Sequence, residues 1–229
     1  MVFAVMQPYL FPYLGYYQLV HSVDTFVFYD DVTFIKGGYI NRNRILSNGQ
    51  AQLFTLPVPG KSSNVLINKL AFDKNTRKQL KLIEQSYSKA PFFGEIFPIV
   101  KSVINAGKRN VEHICRLSIT QVMDYLGIKR RYHYSSDMAY DRDVSSAHKL
   151  INISAHLNSN EYINSPGGKS LYSKEMFNNN GVSLKFIKTK RHRYRQKSDL
   201  FIPNLSMIDV LMWNSKAEAI RLLGQYELT

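Results

Sequence analysis

Val2-Phe3-Ala4-Val5-Met6, closed by Gln7-Pro8, is an apolar run that reads as a strand starting almost at the first residue. A short helix follows over about 15–22, with Gln18, Leu19 and His21 spread over two turns. Asp24-Thr25-Phe26-Val27-Phe28-Tyr29-Asp30 is then rich in β-formers and reads as a second strand. Strand, helix and strand within some thirty residues make a βαβ unit, so the chain is expected to fold as α/β around a parallel sheet.

Working outward, Asn43–Leu46 and Gln52–Pro57 flank Ser47-Asn48-Gly49-Gln50. Asn-Gly between two strand-like runs predicts a hairpin, because a type I′ turn needs positive φ at both central residues. Val65–Ala71 reads as a further strand. Helices are expected over about 74–87, 94–104 and 111–126, the last ending at Gly127. Beyond them lie a strand at 131–135, a helix at 145–157, a strand at 183–188 and a helix at 206–213. The expectation is one α/β domain over 1–229 with a hairpin insertion and a mostly helical second half. A smaller helical lobe at about 74–130 is the variant of that arrangement.

The composition suits a globular chain, with 45% hydrophobic and 21% charged residues. No apolar run reaches the roughly 18–20 residues a spanning helix needs, so no membrane insertion is expected. The start lacks a charged lead-in and a cleavage site, so no signal peptide is expected. One cysteine, Cys115, excludes an intrachain disulfide framework, and the chain is expected in the cytoplasm. Thirty Lys and Arg against 17 Asp and Glu give a net charge of +13. That excess concentrates anions near the surface without choosing among nucleic acid, nucleotide sugar or acyl carrier.

Four segments carry candidate chemistry. Gln7-Pro8-Tyr9-Leu10-Phe11-Pro12-Tyr13-Leu14-Gly15-Tyr16 sits where the first strand hands over to its helix, at the carboxyl edge where α/β sheets bind ligands. Gly15 lets backbone approach a phosphate, and helix-start N–H groups favour anions. Asp30 ends the second strand, placed to bind hydroxyls or act as a base toward an amine. Beyond it Lys36, Asn41, Arg42, Asn43 and Arg44 form a polar, basic stretch suited to phosphates. Gly168-Lys169-Ser170 resembles the end of a phosphate-binding loop, but Ile163 stands where that motif needs a glycine, so only a weaker anion nest around Lys169 is expected. Lys188-Thr189-Lys190-Arg191-His192-Arg193-Tyr194-Arg195-Gln196-Lys197 interleaves cations and aromatics, which suits a phosphate or stacked base. The histidines form no metal-ligand pattern, and no zinc is expected. His156, five residues before Glu161, is the one candidate acid/base among them.

The spacing Pro12-x-x-Gly15-Tyr16 is similar to the His-x-Gly-His signature of nucleotidyltransferases, with Tyr13 and Tyr16 in the histidine places. That likeness implies a Rossmann-like, nucleotidyltransferase-like sheet. The chain as a whole resembles the WbqC-like family. The resemblance rests on Gln7, Pro8, Pro12, Tyr13, Gly15 and Tyr16, then Asp24, Phe26, Val27 and Asp30, then Lys36, Gly38, Asn41, Arg42 and Asn43. It continues through Tyr87-Ser88-Lys89-Ala90-Pro91-Phe92-Phe93 and ends on Pro203, Leu205, Ser206, Asp209 and Leu211. Asn164-Ser165-Pro166-Gly167-Gly168 departs from the family's Ser-Gly-x-x-Ala stretch.

The resemblance implies a place in bacterial O-antigen or other surface-polysaccharide biosynthesis. The expected activity is N-acyl or N-aminoacyl (for example glycyl) transfer to a nucleotide-linked amino sugar. Asp30, Tyr16 and His156 are the candidate catalytic residues. Gln7, Tyr13, Gly15, Lys36, Asn41, Arg42, Asn43, Arg44, Lys169, Tyr194 and Gln196 are the candidate binding residues. The acyl donor stays open among ATP plus an amino acid, a coenzyme A thioester and an aminoacyl-tRNA. The alternatives are a non-catalytic nucleotide-sugar or RNA binder, with tRNA as a partner, and a scaffold for glycan enzymes. Oligomeric state is open.

Overall fold

The computed structural model describes all 229 residues except Arg191, His192 and Asp199. Strand β1 (Val2–Met6), helix α1 (Leu14–His21) and strand β2 (Thr25–Phe28) form the opening βαβ unit, with β1 and β2 parallel. A hairpin of β3 (Arg42–Ser47) and β4 (Gln50–Thr55) follows, turning through Asn48 at φ 50° and Gly49 at φ 74°. Both central residues take the left-handed conformation that Asn-Gly tolerates best. Helices α2 (Arg77–Tyr87), α3 (Phe93–Ile104) and α4 (Val111–Leu126) lead back to β5 (Arg131–Tyr134). Then come α5 (Ser146–His156), β6 (Glu161–Asn164), α6 (Lys174–Asn179) and β7 (Ser183–Thr189). The chain closes with α7 (Met207–Trp213), α8 (Lys216–Leu223) and β8 (Tyr226–Leu228).

The main sheet runs β5-β2-β1-β6-β7-β8, parallel except for β8. Counted in chain order within that sheet, this is the doubly wound order 3-2-1-4-5-6, whose direction reverses between β1 and β6. Alternate residues face opposite layers. Ala4, Phe26, Phe28, Ile163 and Ile187 face a core shared with α1, α4, α7 and α8, while Phe3, Val5, Val27, Tyr162 and Leu184 face α5 and α6. All four residues of β2 are buried, as a strand covered on both faces requires. The first core also takes in Ile83, Val100 and Val103 of α2 and α3.

Several elements differ from the sequence reading. Val65–Ala71 is not a strand: it holds a 3₁₀ turn at Ile67–Lys69, with single bridges at Leu66 and Ala71. The second half is not mostly helical but supplies four strands of the main sheet; of these β6 and β8 were not expected, nor were helices α6 and α8. No helix among the described residues is long and apolar enough to cross a membrane.

Candidate functional site

The segment between β1 and α1 is built to hold one shape. Phe11 sits at φ 40°, a conformation L-residues rarely adopt. Its carbonyl accepts from Asn43 Nδ2 at 2.8 Å and from Ser206 Oγ at 2.7 Å, and its N–H donates to Ser118 Oγ at 2.9 Å. Met207 N–H donates to the Pro12 carbonyl at 2.8 Å. Hairpin, α4 and the start of α7 therefore converge on residues 11–13 and fix where α1 begins.

A cavity of about 570 Å³ opens at that point. Tyr13, Leu14 and Gly15 form one wall, and Thr189 and Lys190, from the carboxyl end of β7, another. Arg193 and Tyr194 form a third, and Phe201, Pro203, Asn204 and Leu205 close it. Tyr13 is the N-cap of α1, and its side chain makes no capping hydrogen bond. The Tyr16 N–H is taken by the Tyr13 carbonyl at 3.0 Å and Leu14 adjoins the Tyr13–Ser206 bridge, so of the first N–H groups that of Gly15 is left for another acceptor. A Cβ on Gly15 would stand 2.5 Å from Tyr13 Cε2 and 3.1 Å from Thr189 Oγ1, so only glycine leaves the mouth in this shape. Thr189 Oγ1 donates to Gln18 Oε1 at 2.7 Å, and the fully buried Gln18 is anchored by donating to the Leu222 and Gln225 carbonyls. Burial pushes the Tyr13 phenol up, so it acts as a neutral hydrogen-bonding group and not as a cation.

Behind the cavity lies a buried polar cluster. Asp209 is fully buried, and its Oδ1 accepts from the Tyr87 hydroxyl at 2.8 Å. That same hydroxyl accepts from Leu46 N–H at 2.9 Å. Burial pushes the Asp209 carboxyl up to about 6, with Tyr87, Tyr194 and Gln196 opposing the push. Oδ2 and the Tyr194 hydroxyl are both buried without a hydrogen bond of ordinary geometry, although they lie close enough to influence each other. Gln196 instead grips the following loop, donating to the Ile202 carbonyl and accepting its N–H, both at 2.9 Å.

The structure thus brings Tyr13, Gly15 and Tyr194 to one cavity and sets the other expected residues elsewhere. Tyr16 is 2% exposed, packs on Tyr9 and Phe26, and donates to the Gln7 carbonyl at 2.8 Å. Arg42 donates to the carbonyls of Gly37 and Gly38, so its guanidinium is spent on its own loop. Neither Arg42 nor Tyr16 lines the cavity beside Tyr13 and Gly15. Lys36 is exposed on that same loop. Asn41 donates to the Leu56 carbonyl at 2.8 Å, so it and Asn43 brace the hairpin and the β1–α1 segment. Arg44 is half-buried, its Nε without a partner, and does not line the cavity.

Asp30 is 1% exposed. Its oxygens accept from Ser135 Oγ, Ser136 N–H and Ser136 Oγ at 2.7–3.0 Å. Fully engaged, that carboxylate ties β2 to the end of β5 and has no free face toward an amine. Lys169 lies 5.7 Å from the centroid of the Phe186 ring, on the opposite layer. His156 ends α5 at the amino-terminal rim, where nearby Ser159 donates to the Met1 carbonyl; it is far from the carboxyl edge. Arg191 and His192, in the basic run, lie outside the described residues. No cluster of three or more His, Cys, Asp or Glu among the described residues could hold a metal ion.

Sequence reasoning missed Gln18, Asn204 and Asp209 as parts of the site. Only Asp209 carried a signal, its place in the closing motif.

Order, layers and carboxyl-edge cavity define a Rossmann-like α/β protein. The chain belongs to the WbqC-like protein family, whose model matches residues 7–221. It is 28% identical over 221 residues, 94% of each chain, to the uncharacterised protein Rv1507c of Mycobacterium tuberculosis. No solved structure matches the chain.

Proposed function

We propose that the protein is a cytoplasmic N-acyl or N-aminoacyl transferase that acts on a nucleotide-linked amino sugar in surface-polysaccharide biosynthesis. Family membership supports the pathway. One observation carries the ligand class: the cavity at the start of α1 is lined by Arg193 and by Lys190, whose Nζ lies 3.6 Å from the exposed Glu227, with no carboxylate among its described lining residues. The diphosphate lies against these cations and the uncapped helix start, where charge-assisted hydrogen bonds are strongest. Tyr194 and Phe201, edge to face at 5.2 Å, offer an aromatic wall for the base. Tyr13 and Thr189 face the sugar.

In the transfer itself the sugar amine attacks the acyl carbonyl. A C–N bond forms, and the bond from that carbonyl to the leaving group breaks. The amine's proton ends on the departing thiol or hydroxyl, or in solvent when AMP leaves an acyl adenylate, itself formed by the amino acid's carboxylate attacking the α-phosphorus of ATP as pyrophosphate departs.

The test incubates the purified chain with UDP- and dTDP-linked amino sugars and, in turn, ATP plus amino acids, acyl-coenzyme A and aminoacyl-tRNA. Mass spectrometry is expected to show one acylated amino-sugar nucleotide. No product from any pairing, together with no shift in melting temperature by any nucleotide sugar, contradicts the proposal.

A further inference from the structure

A second groove lies at the other edge of the sheet. The cavity's nearer wall follows β1, two strand spacings or about 10 Å from β5, and no residue lines both cavity and groove. Helix α4 contributes His113, Arg116, Leu117 and Thr120, spaced as one helical face. Tyr132 and Tyr134, alternate residues of edge strand β5, supply the opposite wall, and Lys129 and Arg130 the end. The groove encloses about 610 Å³.

Its charge is only partly compensated. Arg116, Lys129 and Arg130 stand against one lining carboxylate, Asp124, and no ion pair found among the described residues involves any of these four. Arg116 is held in place, its guanidinium 4.8 Å from the Tyr134 ring centroid and 6.0 Å from that of Phe28. Arg130 is positioned by backbone, donating to the His21 carbonyl at 2.6 Å and to the Lys129 carbonyl at 2.7 Å, so what it contributes to the groove is positive charge. The Tyr132 hydroxyl is buried without a partner. Arg116 stacked on Tyr134, the flanking Lys129, and the half-buried Tyr132 (itself stacked on Phe28) and Tyr134 lining the groove suit a polyanion that also carries planar groups. An acidic peptide would use the charge and leave the rings idle.

We infer that the α4–β5 groove is a docking site for single-stranded nucleic acid, separate from the cavity and independent of the reaction proposed for it.

The test is fluorescence anisotropy with a 5′-labelled, 20-nucleotide single-stranded RNA of mixed sequence. The parent protein is expected to bind in 50 mM KCl and to lose affinity steeply in 300 mM. Thr120→Glu with Lys129→Glu, both at the groove rim, weakens binding at least tenfold. Arg116→Gln is the second groove variant, with melting curves confirming the fold of each. Lys190→Ala with Arg193→Ala in the cavity leaves RNA affinity within twofold. The inference is overturned if the parent does not bind RNA, if both groove variants bind as the parent does, or if poly-glutamate displaces the RNA at equal charge concentration.

Discussion

Tyr87→Phe is expected to lower the melting temperature by about 10 °C at pH 7. A chain of this size shifts by roughly 2–4 °C for each kcal/mol. One hydroxyl currently accepts the buried Leu46 N–H and donates to the fully buried Asp209. Without it, an amide is left unsatisfied and a buried carboxylate loses its one well-formed donor. Each such loss costs about 1–3 kcal/mol. The pH dependence follows from the sign of the Asp209 shift. Its folded value, about 6, lies above the ordinary carboxyl range, so the folded state holds the proton more tightly. Stability is therefore greatest in acid and declines as pH rises from about 4 to about 6. Tyr87→Phe pushes the carboxyl higher still and extends that decline above pH 6. Adding Asp209→Asn removes the titration and recovers part of the loss. Thermal melts of the three proteins from pH 4 to 8 check this; a Tyr87→Phe melt that tracks the parent at every pH would refute it.

Glu112→Gln is expected to act in the opposite direction and stabilise the protein. Glu112, in the first turn of α4, is 7% exposed, and its Oε2 is buried without a partner. Burial, reinforced by nearby Asp30, pushes its carboxyl up to about 7, with Lys108 opposing. An acid raised in the folded state stabilises less and less as pH climbs from about 4.5 to about 7. Glutamine keeps the shape and cannot ionise. Allowing for the partial solvent access of the site, the gain at pH 8 is on the order of 1–3 kcal/mol, vanishing near pH 4.5. Urea denaturation at the two pH values measures it. An equal effect at both would show that the side chain's shape, and not its charge, matters.

The opening βαβ unit was legible because each part lies within one uninterrupted pattern. Its strands are apolar runs, and the helix between them begins two residues after Pro12. Likewise α4 ends at Gly127, whose φ of 77° is the left-handed cap expected of glycine there. Strand β6 escaped notice because two of its four residues, Glu161 and Asn164, are polar and it runs straight into Ser165-Pro166-Gly167-Gly168, which has the composition of a loop. Val65–Ala71 has the apolar content of a strand, yet its neighbours offer it only single bridges.

The site divides along the same line. Tyr13 and Gly15 could be placed because α/β topology puts a strand-to-helix turn at the carboxyl edge. The Lys36–Arg44 stretch could not, because the use of each side chain is settled by long-range contacts. Asn43 reaches 32 residues back to Phe11, and Arg42 turns onto the backbone of its own loop. The engagement of Asp30 by Ser135 and Ser136 spans over a hundred residues and leaves no local trace.

Isothermal titration of UDP into the parent protein and into Lys190→Ala with Arg193→Ala tests the cavity as the diphosphate site. Parent protein binding one UDP, and a folded double variant binding at least tenfold more weakly, is the expected result, since losing one charge-assisted contact costs about 1.5–3 kcal/mol. Equal affinity in the two proteins, or no binding by the parent to UDP or any other nucleoside diphosphate, would contradict the account.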